Sequence, residues 1–148
     1  HDDPDFVAVH GNDELYEQLS HADFVVIAAP LTPQTEGLFD AKAFAAMKKT
    51  ARLINIGRGP IVNTEALLKA LDDGEIAGAG LDVFEEEPLP SDHPLWQREN
   101  VIMTAHMAGD FIGWKRALTD QFLENFDRWH KRGELFNLVN KELGYAGS

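Results

Sequence analysis

Four short apolar runs alternate along the chain with segments of helical pattern. The runs cover residues 24–29, 52–56, 78–83 and 101–104, and a shorter run at residues 6–9 is a candidate for an earlier strand. Strands that alternate with helices are typical of an α/β fold with a parallel sheet, because a parallel connection needs a crossover. The apolar run Phe24–Ala29 is continuous and is followed by Pro30, which predicts a strand buried on both faces.

Capping residues predict three short helices, and apolar spacing predicts a longer one. The predicted caps are Asn12 or Asp13 (helix to about residue 20), Asp40 (helix over 41–48) and Asn63 or Thr64 (helix to about residue 71). Gly74 fits the left-handed position that ends a helix. Apolar residues recur at three- and four-residue spacing over 113–132, which predicts a long helix with one apolar stripe.

Composition excludes several classes of function. The 148 residues carry 25 Asp and Glu against 13 Lys and Arg, and a net charge of -12 disfavours nucleic acid and anionic lipid partners. The longest apolar run is far too short to span a bilayer, and no basic-plus-apolar leader opens the chain. With no cysteine there is no disulfide scaffold or thiol catalysis. No repeat or linker indicates a domain boundary inside the chain.

Arg58 is a candidate anchor for an anionic substrate. The common phosphate-binding and hydrolase motifs are missing, and Gly57-Arg58-Gly59 is too short for a dinucleotide fingerprint. An arginine is usually a surface or salt-bridge residue, but this one follows a predicted strand. The carboxyl ends of parallel strands are where open α/β sheets bind ligands, and the guanidinium fork matches a carboxylate.

His106 is a candidate proton donor because it follows the predicted strand 101–104 with only Ala105 between them. One of the consecutive glutamates 85–87 could orient it, although an acidic run is usually only solvated surface. Asp82 lies within another predicted strand, residues 78–83, where a buried carboxylate requires a hydrogen-bond donor, and the alternative is a structural aspartate. The six histidines show no metal-ligand spacing, so no metal site is predicted.

Four motifs in order resemble the D-isomer-specific 2-hydroxyacid dehydrogenases. They are Pro30-Leu-Thr-Pro-Gln-Thr35, Leu53-Ile-Asn-Ile-Gly-Arg-Gly59, Gly80-Leu-Asp-Val-Phe-Glu-Glu-Glu-Pro88 and Thr104-Ala-His-Met-Ala-Gly109. The resemblance covers essentially the whole chain and implies the second half of a doubly wound Rossmann-type parallel sheet with a long C-terminal helix. It implies that residues 1–110 are the C-terminal half of a dinucleotide-binding domain, and that 111–148 form a long helix and tail returning toward a substrate domain.

The resemblance also assigns roles to individual residues. It implies that Arg58 grips the substrate carboxylate, that His106 is the acid/base, and that Glu87 hydrogen-bonds the histidine. Asp82 would help to place the nicotinamide carboxamide. The remaining cofactor-binding positions that it implies are Ala29, Pro30, Thr35 and Ile56.

The activity implied by this resemblance is hydride transfer between a nicotinamide cofactor, NAD or NADP, and a 2-oxo acid or D-2-hydroxy acid. The full-length enzyme is expected to be a cytoplasmic homodimer. The family's glycine-rich phosphate loop would lie before His1, so we expect the chain alone to bind cofactor poorly.

Two departures and two alternatives accompany the resemblance. Ala105 stands where the family usually has proline, and Asp110 where a small hydroxyl residue is common. Formate dehydrogenases of the family generally carry glutamine in place of Glu87. The alternative from another class is a dinucleotide-sensing transcriptional corepressor of the same fold, disfavoured because an acidic chain with no obvious exposed apolar stripe offers little for peptide binding.

Overall fold

The computed structural model of the chain describes residues 7–146. These residues form two compact units, 7–105 and 106–146. The first contains a parallel sheet with three α-helices, and the second contains one long helix and a short hairpin.

A four-stranded parallel sheet is the centre of the first unit. Its strands are β1 (Phe24–Ile27), β2 (Arg52–Asn55), β3 (Gly78–Leu81) and β4 (Val101–Met103), and they lie side by side in chain order. The predicted parallel α/β class is confirmed. Each strand ends before its predicted end, so Ala29, Ile56 and Asp82 lie in the loops that follow the strands rather than within them.

Local capping signals predicted two of the three short helices. In α2 (Ala41–Ala46) the Asp40 carboxylate accepts the N–H groups of Lys42 and Ala43 at 2.9 and 3.0 Å. In α3 (Thr64–Asp72) the Asn63 side chain accepts the Ala66 N–H at 2.8 Å. Gly74 has the expected positive φ of 66°. These side chains satisfy amide groups that have no partner within the helix, which fixes where each helix begins.

The first helix begins differently from its prediction. Neither Asn12 nor Asp13 caps an α-helix; a 3₁₀ helix spans Asn12–Glu14, and α1 (Leu15–His21) continues from it. The tighter turn places both residues inside the helical segment, and Gly11 takes the preceding position. For the predicted early strand at residues 6–9, Phe6 lies outside the described residues, and 7–9 form no strand.

The helices α1, α2 and α3 build the core against one face of the sheet. Side chains from this face, including Ile27, Leu53 and Leu81, are buried with Phe44 and Leu67 from the helices. The expectation that the first strand is buried on both faces is wrong. Successive strand residues point to opposite faces, and the opposite face of β1 leaves Phe24 and Val26 61% and 56% exposed.

The second unit begins at His106 and contains α4 (Trp114–His130), close to its predicted span. Its predicted apolar stripe is present and exposed, and Phe126 stacks on Phe122 and lies tilted against Trp129. This corrects the expectation that the chain has no obvious exposed apolar stripe. The strands β5 (Val139–Asn140) and β6 (Tyr145–Ala146) form an antiparallel hairpin. None of the helices in residues 7–146 combines the length and the apolar character that a membrane span requires.

Candidate active site

The carboxyl ends of β1, β2 and β3 bring together most of the residues predicted to bind cofactor and substrate. Ala29 follows β1, Ile56 and Arg58 follow β2, and Asp82 follows β3 directly. Since these strands are adjacent and parallel, their ends meet at one edge of the sheet. Arg58 therefore lies at the edge that its position after a predicted strand indicated, and Asp82, which was expected within a strand, lies at the same edge because β3 ends at Leu81.

The turn after β2 lies very close to its neighbours, which explains its two glycines. A Cβ atom at Gly57 would lie 2.7 Å from the Ala29 carbonyl oxygen, and one at Gly59 would lie 1.8 Å from the Phe84 carbonyl oxygen. Only a residue without a side chain allows backbones to approach so closely. Arg58 is thus held between two fixed contacts, one with the loop after β1 and one with the loop after β3.

Arg58 itself is exposed at this edge. Its Nη1 donates a hydrogen bond of 2.7 Å to the Gly57 carbonyl oxygen, so the guanidinium folds back over its own turn. A guanidinium has five N–H donors, and this bond uses one of them. The group can therefore bind a carboxylate while its position is stabilised by the backbone.

Asn55 is a site residue that the sequence reasoning missed. It is the last residue of β2 and is 1% exposed. Its side-chain oxygen accepts the Gly57 N–H at 3.1 Å, and its side-chain nitrogen donates to the Arg58 carbonyl oxygen at 3.0 Å. The signal available in the sequence was a polar amide within the apolar run 53–56, because such a side chain in a buried strand must find hydrogen-bond partners.

Asp82 has the donors that a buried carboxylate needs. It is 4% exposed, and the Thr104 hydroxyl donates a hydrogen bond to its Oδ1. Its backbone N–H donates to the Asn55 carbonyl oxygen at 3.0 Å. Thr104, which follows β4 and whose part in the site the sequence did not reveal, also donates its own N–H to the Leu81 carbonyl oxygen at 3.0 Å.

The loop after β1 is organised by Thr35. Its hydroxyl donates to the Pro30 carbonyl oxygen at 2.7 Å and accepts the Thr32 N–H at 2.8 Å. These bonds close the loop on itself and fix the backbone of Pro30. Thr35 thus has a demonstrable role in shaping the loop, and the binding of cofactor by Pro30 and Thr35 stays a prediction.

The three consecutive glutamates have different environments. Glu87 accepts the Phe84 N–H at 2.9 Å through Oε1, which closes the turn after β3. Glu85 accepts the Thr64 N–H at 3.0 Å, at the N-terminus of α3. Glu85 is therefore engaged as a helix cap, where a negative charge is favourable.

His106 is the first residue of the second unit and has a positive φ of 51°. The left-handed region is uncommon for a residue with a side chain, although histidine enters it more readily than most. Such a conformation persists only where the surrounding structure fixes it, and it is found preferentially at functional sites. The pairing of Glu87 with His106 and the catalytic role of His106 stay predictions.

The part of the chain that the structure covers contains no set of side chains that could bind a metal ion. Among residues 7–146, no three His, Cys, Asp or Glu side chains are grouped closely enough to hold a metal ion. The chemistry available at the sheet edge is that of a guanidinium, a buried carboxylate and exposed apolar groups such as Ile56.

Comparisons with known proteins agree on one family. The family model described as the NAD binding domain of D-isomer specific 2-hydroxyacid dehydrogenase matches residues 3–108. Glyoxylate reductase from Thermofilum pendens is 46% identical over 130 residues, which are 88% of this chain and 38% of that protein. Glyoxylate/hydroxypyruvate reductase B from Escherichia fergusonii is 54% identical over 94 residues, which are 64% of this chain and 29% of that protein. The chain thus spans less than two fifths of the length of these curated relatives.

Solved structures show the same fold. A D-isomer specific 2-hydroxyacid dehydrogenase from Xanthobacter autotrophicus Py2, in complex with NADPH and MES, matches with a TM-score of 0.84 and 42% identity over 93% of this chain and 56% of that one. An NADPH-dependent glyoxylate/hydroxypyruvate reductase from Sinorhizobium meliloti, in complex with NADP and sulfate, has a TM-score of 0.83 and 36% identity. That match covers 90% of this chain and 43% of the other.

Proposed function

The chain belongs to the D-isomer-specific 2-hydroxyacid dehydrogenase family, and from this premise we propose that the whole protein reduces a small 2-oxo acid to a D-2-hydroxy acid with a nicotinamide cofactor. The observation that carries the proposal is the convergence of Arg58 and the buried Asp82 at the carboxyl edge of one parallel sheet. Glyoxylate and hydroxypyruvate are the substrates to test first, because the relatives are named for their reduction.

The described residues fit the nicotinamide half of such a cofactor. Ile56 is 43% exposed and offers an apolar surface, while Asp82 provides a carboxylate that can accept an N–H from a carboxamide. Ala29, Pro30 and Thr35 belong to the loop after β1, whose backbone is next to the Gly57 turn. We assign these five residues to cofactor binding, with NAD and NADP both open.

The mechanism we propose divides the work among three side chains. The reduced cofactor, when bound, supplies hydride to the carbonyl carbon. Arg58 binds the substrate carboxylate with its planar fork and polarises the carbonyl. His106 donates a proton to the carbonyl oxygen, a contribution that is typically about 10²–10⁴-fold in rate. Glu87 stabilises the protonated imidazole and fixes its tautomer.

The domain organisation, the oligomeric state and the cellular location of the whole protein form part of the same proposal. Residues 1–110 contribute the C-terminal half of a dinucleotide-binding domain, and 111–148 form a helix and tail that return to a substrate domain. The active form is a homodimer in the cytoplasm. The comparisons give no support to the corepressor alternative.

A spectrophotometric assay tests the proposed function. The full-length protein is mixed with glyoxylate or hydroxypyruvate and either NADH or NADPH, and cofactor oxidation is followed by absorbance. Turnover that requires both a 2-oxo acid and a reduced nicotinamide supports the proposal. The proposal is refuted if the folded protein binds reduced cofactor but does not oxidise it in the presence of any small 2-oxo acid.

A further inference from the structure

Asn55 makes two side-chain hydrogen bonds, and both are with the backbone of the Arg58 turn. The amide oxygen accepts from Gly57 and the amide nitrogen donates to the Arg58 carbonyl. The side chain is buried at 1% exposure, so water cannot replace these bonds. The amide therefore closes the turn from the inside and determines where the Arg58 backbone lies.

Asparagine meets the chemical requirement of this turn in a way that similar residues do not. The turn needs one acceptor for an N–H and one donor for a carbonyl, and a primary amide supplies both. An aspartate carboxylate would keep the acceptor but present an oxygen to the Arg58 carbonyl oxygen. A serine hydroxyl reaches less far and can serve at most one of the two groups well.

We propose that Asn55 is a positioning residue for substrate carboxylate binding, acting through Arg58. This inference rests on the proposed function, in which Arg58 holds the carboxylate. The guanidinium starts from a backbone fixed by the Asn55 amide, and its Nη1 lies against Gly57, the other residue that this amide binds. Loss of the amide shifts both the backbone of Arg58 and the carbonyl that supports its guanidinium.

The effect should fall on the carboxylate and not on the cofactor. Asn55 contacts the cofactor side of the edge through its main chain, since its carbonyl oxygen accepts the Asp82 N–H. A side-chain substitution leaves that main-chain bond in place. Asn55 variants should therefore weaken the binding of a carboxylate ligand while the affinity for the nicotinamide cofactor is nearly unchanged.

The experiment measures binding of oxamate, an unreactive analogue of a 2-oxo acid, to the full-length protein saturated with reduced cofactor. In calorimetry, Asn55→Ser and Asn55→Asp should bind oxamate at least about tenfold more weakly than the original protein does. A loss of this size is expected when the Arg58 guanidinium is displaced. The dissociation constant for the cofactor should change less than threefold. In an Arg58→Ala background Asn55→Ser should have no further effect on oxamate, because the two residues act as one unit.

Asn63→Ala is the matched control. It removes another asparagine hydrogen bond of the same unit, at the N-terminus of α3, and should lower the urea midpoint of unfolding without changing oxamate affinity. Oxamate affinity at the original level in every folded Asn55 variant overturns the proposal, and so does a series in which no Asn55 variant folds. If Arg58→Ala itself keeps normal oxamate affinity, the proposed role of Arg58 fails instead.

Discussion

The hydroxyl of Thr104 donates a hydrogen bond to the Asp82 carboxylate and so joins the ends of β4 and β3. Asp82 in turn donates its backbone N–H to Asn55, whose side chain holds the Arg58 turn. The ends of β4, β3 and β2 are therefore joined by a connected set of hydrogen bonds. Substitution of a side chain in this set tests what that side chain contributes to binding.

Replacement of Thr104 by valine should weaken cofactor binding. Valine has a similar shape but donates nothing to the buried Asp82 carboxylate, and a hydrogen bond to a charged group contributes about 1.5–3 kcal/mol. We expect the KM for NADH or NADPH to rise about tenfold or more, with a smaller change in kcat. Thr104→Ser should restore most of the affinity. Thr119→Val, which removes an exposed hydroxyl bond on α4, serves as the control. An unchanged cofactor KM in Thr104→Val would contradict the role given to Asp82.

Substitution of Arg58 by lysine should be almost as damaging as substitution by alanine. Lysine keeps the charge but lacks the planar fork that binds a carboxylate with two parallel bonds. We expect kcat/KM for glyoxylate to fall by about 10²-fold or more in both variants. Arg52→Lys, at an exposed position in β2 of the same sheet, should retain activity. Near-normal kcat/KM in Arg58→Lys would remove Arg58 as the carboxylate anchor.

Glu87→Gln should slow reduction. In the proposed mechanism the Glu87 carboxylate orients the His106 imidazole and stabilises its positive charge, and glutamine offers only a neutral amide. We therefore expect kcat/KM for glyoxylate to fall about tenfold or more, with little change in the KM for the cofactor. The glutamine oxygen can still accept the Phe84 N–H, which preserves the turn.

Two neighbouring variants distinguish the glutamates. Glu86→Gln should leave kcat/KM for glyoxylate unchanged, and Glu85→Gln should chiefly destabilise α3, because Glu85 caps its N-terminus. A loss of kcat/KM with Glu86→Gln and not with Glu87→Gln would reassign the partner of His106.

Asp72 should make stability depend on pH in the acid range. Two hydrogen bonds from the Arg98 guanidinium hold the pKa of the Asp72 carboxyl below its ordinary value of 3.8. A lowered pKa means that the folded state favours the charged form. The stabilisation is therefore complete above pH 3.8 and is lost as the pH falls through the lower value.

The measurement is urea unfolding between about pH 6 and pH 2.5 for the original protein and Asp72→Asn. The variant should be less stable near pH 6, and the difference should shrink toward the acid end. Asp92→Asn, at an exposed loop position, provides the control. A stability difference that grows on acidification would show that the Arg98 pair does not favour the charged carboxylate.

Local signals predicted the parts of the fold that local chemistry determines. Asp40 and Asn63 cap helices as expected, because a cap requires only the residue and the helix beside it. Arg58 was expected at the sheet edge because it follows a run typical of a strand, whereas Asp82 was expected within the run 78–83. The order of the strands then brings their ends together.

Longer-range features were not predictable in this way. The exposure of Phe24 and Val26 depends on which face the helices cover, and an apolar run alone does not specify that. The partners of Asn55 depend on a turn whose geometry is set by close contacts with Ala29 and Phe84. The polar residue was visible in the run, but its role required the three-dimensional arrangement.

The separate attachments of Glu85 and Glu87 also have a consequence for insertions and deletions. Glu85 is tied to the start of α3 and Glu87 to the amide of Phe84, so the spacing between the two carboxylates is fixed at both ends. Removal of one glutamate leaves an acidic loop of almost the same composition, yet the remaining pair can no longer reach both amides. Deletion of one glutamate should therefore disturb the turn after β3 and the start of α3 together, whereas a single replacement by glutamine leaves the length of the loop unchanged.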